Sequence, residues 1–200
     1  ISSLEIIVQD DPKLFPGLVV QEDKDLKISF KNKIEIVPTI LKMEKNSEAE
    51  RIIGWNKREW AEIFQFSEEN YKLPINKPGC GSKSLEPGIF EKLEVKFGGF
   101  EFTSRSLEIG SLKDEIEFCF ERGWSDGLPV VPPTKERVFL MLQGTQRDPK
   151  EVLGLMPPNL QSCTVEKVAI NAVMAGCKPE FLPVVIAAVE AALDPAYCLH

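Results

Sequence analysis

Apolar positions come in short alternating bursts over the first third of the chain and at helical spacing over the last third. Leu4-Glu5-Ile6-Ile7-Val8 is a strand-like run, closed by the turn signal Gln9-Asp10-Asp11-Pro12. Leu18-Val19-Val20 predicts a second short strand, and Asp23 or Asp25 is placed to cap a helix through Leu26, Ile28 and Phe30. Residues 34–43 are rich in β-branched side chains. Glu44 to Ser47 make a polar turn, and residues 48–54 read as the return strand of a hairpin. Asn56 is a fitting N-cap for a helix with Trp60, Ile63 and Phe64 on one face, and Glu59 stands three residues past the cap.

From Ser67 the texture changes. Prolines 12, 16 and 38 are the only ones in the first 66 residues of a chain that holds 15. Residues 67–111 read as an irregular connector, with a hairpin expected over 93–102 turning at Gly98-Gly99. A helix is expected from about Leu112 to Arg122, with Ile116, Cys119 and Phe120 inward and Gly123 ending it. The prolines of residues 124–133 exclude a helix there, because each lacks an N–H donor and restricts its neighbour. Thr134 caps a helix to about Gln143, and Thr164 caps another to Ala175 with Gly176 as its left-handed stop. Pro179 opens a last apolar helix ending near Leu193. The boundaries so read are 1–66, 67–111 and 112–200.

Composition narrows the function classes. A net charge of −7 argues against a nucleic-acid surface, which needs concentrated positive charge. No apolar run reaches the roughly 18 residues of a membrane span. The lone histidine is the terminal His200, which works against Ser-His-Asp or Cys-His catalysis and histidine-based metal sites. Five cysteines, 80, 119, 163, 177 and 198, form an odd, scattered set unlike a secreted disulfide framework, so a cytoplasmic protein is expected. No Cys-x-x-Cys occurs, and neither a dithiol centre, a metal site nor a cofactor is expected. The chain opens on Ile1 directly into a strand-like run, which reads as a fragment or processed product. The apolar final helix needs a partner layer; without one it invites association into a homo-oligomer.

The order of Ile36-Val37-Pro38-Thr39, a strand, a charged turn, a strand ending at Gly54-Trp55 and the Trp60 helix resembles the C-terminal half of a thioredoxin-like fold, in its TlpA and peroxiredoxin-related branch. The resemblance implies a cis Val37–Pro38 peptide that offers its backbone to an extended peptide or mixed disulfide. In that family the reactive cysteine pair lies upstream of anything present here, so this half is expected to be inactive as a dithiol enzyme. Gly123-Trp124-Ser125-Asp126-Gly127-Leu128-Pro129 and the stretch 165–177 resemble the opening of the bacterial UGSC-type (seleno)protein domain. The expected class is thus α/β: a partial thioredoxin-like fold followed by a mainly α, proline-rich second domain fragment.

Candidate site residues follow. Cys80, in Pro78-Gly79-Cys80-Gly81-Ser82, is the best placed of the cysteines for thiol chemistry, since flanking glycines leave its sulfur open; the alternative is an ordinary loop thiol. Val37 and Pro38 would form a substrate groove. Trp124 and Asp126 either line a pocket or serve as a core plug and a turn acceptor. Lys167 and Asn171 share a helix face, where Asn171 ties down the proline-rich loop, both meet a substrate anion, or both are simply exposed to solvent. Three functions are weighed: a thiol-related redox protein acting on a thiol or disulfide partner, a binding or scaffold module, and an enzyme acting on a small acidic metabolite in the second domain.

Overall fold

A computed structural model of the chain describes residues 4–45, 47–67, 69, 72–110 and 114–197. The protein is mixed α/β, and it divides into two compact units, Ile1–Gly98 and Gly99–His200. Its described strands associate as five separate two-stranded sheets. Among the described residues, no helix is long and apolar enough to cross a membrane.

In the first unit β1 (Ile7–Val8) runs parallel to β2 (Gln21–Glu22). The second strand therefore lies just beyond the expected Leu18-Val19-Val20 run, and Val19 is left 96% exposed. Asp23 sets this position. Its N–H donates to the Val8 carbonyl, and its buried carboxylate accepts the N–H groups of Ile28 and Ser29 at 3.0 and 2.7 Å. That carboxylate caps α1 (Lys27–Lys31), satisfying donors that the first turn of a helix cannot pair internally.

The β-branched run splits at Pro38 into β3 (Ile36–Val37) and β4 (Thr39–Glu44), and the Val37–Pro38 bond is cis. β4 forms the expected antiparallel hairpin with β5 (Ser47–Ile53). Then β6 (Trp55–Asn56) leads into α2 (Lys57–Phe64), whose Arg58 and Glu59 N–H groups donate to Asn56 Oδ1. The unit is completed by β7 (Asn76–Lys77) against β6 and by β8 (Cys80–Gly81) against β3. Residues 93–97, expected in a hairpin, instead end α3 (Ile89–Phe97), whose start is fixed by the Glu91 carboxylate accepting the Gly88 N–H. Phe90, Leu93 and Phe97 recur at helical spacing, and Phe30 of α1 sits 6.4 Å from both phenyl rings. Burying that face outweighs the strand preference of its aromatic and β-branched residues.

In the second unit α4 (Glu115–Glu121) is capped by Asp114 and buries Phe118 and Cys119, while Ile116 and Phe120 face solvent. The inward face is thus rotated from the expected one, because Phe118 packs edge-on against Trp124 at 6.2 Å. Leu112 lies outside the described residues. α5 (Lys135–Leu142) starts at Thr134, as expected. A hairpin that the hydrophobic pattern did not announce follows: β9 (Val152–Met156) and β10 (Gln161–Thr164). α6 (Val165–Met174) starts at Thr164 and stops at Gly176, φ 72°, and α7 (Leu182–Leu193) follows one 3-10 turn opened by Pro179. Val138, Met141, Leu142, Val165, Ala169, Leu182 and Ile186 knit α5, α6 and α7 into one core.

Glu166, in the first turn of α6, is completely buried. Its carboxylate accepts the Thr103 N–H and hydroxyl at 2.9 and 3.0 Å and the Ser104 N–H at 2.7 Å. Burial pushes its pKa up, but the donors of Ser104 and Thr103 outweigh that and hold it below the ordinary value of 4.5. A depressed folded pKa means the contribution to stability is full above about pH 4.5 and fades as pH falls through the folded value. Glu166→Gln should therefore lower stability at neutral pH by about 1.5–3 kcal/mol in urea unfolding of the whole chain. The gap to the parent should close on acidification; a gap independent of pH would refute the charged state of Glu166.

Candidate functional site

Three features converge around Cys80. The first is the pairing of β3 with β8, which sets Val37 opposite Cys80 and Ile36 opposite Gly81. Directly opposed residues of an antiparallel pair project from the same face, so Cys80 and Val37 share one side of this ribbon. The second is the tightness of the approach. A Cβ on Gly79 would lie 2.6 Å from the Val37 carbonyl oxygen, so only glycine fits there. The third is an aromatic wall. Trp55 lies against Trp60 with ring centroids 4.8 Å apart and planes tilted by 51°, Trp60 meets Phe64 at 5.8 Å, and the Trp55 indole N–H donates to the Pro74 carbonyl at 2.7 Å.

Between these lies a cavity of about 390 Å³, bounded by Val37, Pro38 and Cys80 on one side and by Trp55, Leu73 and Pro74 on the other. Lys77, opposite Trp55 in the β6–β7 pair, brings the one cationic side chain of its lining among the described residues. Cys80 is exposed. Pairing with β8 has a consequence for recognition: the edge of β3 at Val37 is occupied by the chain's own Cys80–Gly81, and the Ser82 N–H extends the ladder to the Glu35 carbonyl. A peptide cannot add to β3 on that edge through its main chain. What stays open is the cavity beside it.

A polar clamp fixes the Cys80 segment from behind. Gln9 Nε2 donates to Ser29 Oγ and Ser82 Oγ, both at 2.7 Å, while its Oε1 accepts the Lys83 N–H at 3.0 Å. Lys83 Nζ reaches back to the Gln9 carbonyl at 3.1 Å and to Asp10 at 2.6 Å. Ser82 and Ser84 are buried and hydrogen-bonded to each other. No sequence signal marked Gln9, which reads as the first residue of a turn.

No protein-family model matches the chain, and neither a curated protein nor a solved structure matches it.

The remaining candidates separate. Trp124 packs on Phe118, and Asp126 Oδ1 accepts the Leu128 N–H within its own turn, where Ser125 also bonds the Leu128 carbonyl. The proline-rich loop is tied to α6 through the Val131 N–H and the Met174 carbonyl, and Asn171 takes no part in that tie. Asn171 Nδ2 donates to the Lys167 carbonyl at 2.8 Å, and Lys167 Nζ donates to the Ser162 carbonyl at 2.7 Å. Both residues border a second, larger cavity within the second unit. Burial pushes the thiols of Cys119 and Cys163 up, with Glu115 adding to the effect at Cys119 and Lys167 opposing it at Cys163. No group of three or more His, Cys, Asp or Glu among the described residues is arranged to hold a metal ion.

These environments order the thiols. Of the four described thiols of the native protein, iodoacetamide should label Cys80 first, Cys177 more slowly, and Cys119 and Cys163 only after unfolding. Timed quenching with peptide mass spectrometry checks the order, and labelling of Cys163 as fast as Cys80 would contradict it.

Proposed function

We propose that the protein is a thiol-related redox protein of the thioredoxin superfamily that acts through a single cysteine, Cys80, by disulfide exchange. The resemblance of residues 34–64 to thioredoxin-like proteins supports this reading. The observation that carries it is the exposed Cys80 set opposite Val37 and beside Pro38, on the wall of a cavity that Trp55 also lines.

In the exchange the Cys80 thiolate attacks one sulfur of a partner disulfide. The partner's S–S bond breaks, a new S–S bond joins Cys80 to one half, and the other half leaves as a thiolate with the electron pair. A second thiolate from another molecule reverses the step and restores Cys80. No net oxidant is consumed. Cys80 is the only cysteine of residues 1–98, so the resolving thiol comes from outside the first unit.

Glutathione disulfide is a direct probe. The native chain should take up one glutathione at Cys80, on the order of tenfold faster than the urea-unfolded chain at the same pH, because the cavity orients the incoming disulfide. Cys80→Ser should lose that adduct and keep its thermal stability. Equal rates for native and unfolded Cys80 would reduce it to an ordinary surface thiol and sink the proposal.

A further inference from the structure

The second unit contains a cavity of about 510 Å³, larger than the one beside Cys80 and independent of it. Its walls come from the hairpin and from the facing sides of α6 and α7. Met156, Val168, Ala172, Val185 and Val189 make most of the surface apolar. Water in such a space finds few partners, so displacement by hydrocarbon is favourable.

Charge decides what kind of hydrocarbon. Among the described residues Lys167 is the only charged one in the lining, with no aspartate or glutamate beside it. Its ammonium is steadied by one hydrogen bond to the Ser162 carbonyl, and a lysine has three donors, so two remain for a ligand. Asn171, one turn on, is anchored through Nδ2 to the Lys167 carbonyl and adds a second polar group on the same helix face. Glu190 of α7 is committed elsewhere, accepting from Arg147 at 2.7 Å. The cavity is thus an apolar chamber with one cationic group.

We infer that this cavity binds a small amphipathic monocarboxylate, with the carboxylate at Lys167 and Asn171 and the apolar chain between α6 and α7. A dicarboxylate would have to place its second charge against apolar walls, which is costly without a partner. A cationic amphiphile would meet Lys167 with like charge, and a neutral one would forgo the charge-assisted hydrogen bond.

Cys177 offers a local readout, since it borders the cavity and is only partly buried. Decanoate, below its micelle-forming concentration, should slow iodoacetamide labelling of Cys177 saturably in the intact chain and leave Cys80 unaffected. Lys167 is exposed, so Lys167→Met should fold normally, and it should raise the decanoate dissociation constant about tenfold while leaving any weak binding of decanol unchanged. Val189→Phe, which fills the chamber, should abolish protection by decanoate. The inference fails if decanoate gives no saturable protection of Cys177. It also fails if decanol and decyltrimethylammonium protect as well as decanoate, or if Lys167→Met binds decanoate as tightly as the parent. Since the readout is at Cys177 and the exchange reaction is at Cys80, either proposal can fail without the other.

Discussion

The side-chain amide of Gln9 makes three hydrogen bonds inside the first unit. Both Nε2 donors go to serine hydroxyls, on α1 and on the segment after β8, and Oε1 takes the backbone N–H of Lys83. This matters because the strands it joins are only two residues long and cannot hold themselves together. Among the described residues few apolar side chains are buried here, namely Val8, Ile52, Ala61 and Leu93. A thin apolar core leaves satisfied polar groups to fix which segment lies against which. Gln9 places the Ser82 end of the segment, Gly79 lets its other end close on Val37, and Cys80 is held between the two fixed points.

The second unit solves the same problem with more apolar mass and one buried charge. Its helices share a continuous core, but residues 103 and 104 carry no regular structure and need a partner. Glu166 provides it at the start of α6, where the helix N-terminus also favours a negative charge. The carboxylate holds an irregular strand of chain that hydrophobic packing alone would leave free to slide. Once that strand is fixed, Phe100 and Phe102 can close on each other at 4.8 Å and Phe100 on Phe139 at 5.3 Å.

Much of the local structure was legible in the sequence because its cause is local. Caps at Asn56, Thr134 and Thr164, the stops at Gly123 and Gly176, and the β4–β5 turn all follow from groups a few residues apart. The misreadings share a different cause. β2 lies beyond Val19-Val20 because Asp23 must reach α1, and α3 replaces a hairpin because Phe30 waits for its Phe90–Phe97 face. Both depend on partners far along the chain. Glu166 did leave a trace, since it falls on one helix face with Ala169 and Val173, three and seven residues on, and both are buried. Of the candidate site residues, Cys80 comes together with Val37 and Pro38, and Lys167 with Asn171, while Trp124 and Asp126 are engaged within their own loop. The hydrophobic pattern held no sign of either cavity, because a cavity is set by what surrounding segments fail to fill.

The covered edge of β3 bears on what kind of partner the Cys80 site can take. Main-chain pairing rewards any extended peptide almost regardless of its side chains, and so gives breadth of recognition. Here that edge is already paired to residues 80–82, which leaves a cavity of about 390 Å³ as the contact surface beside the thiol. A cavity of that size with a tryptophan wall and one lysine selects by the shape and charge of a side chain or small thiol compound. The exchange proposed for such a site would favour compact disulfides over long unfolded segments. The same β8 that brings Cys80 to Val37 therefore also narrows the range of partners that can reach it.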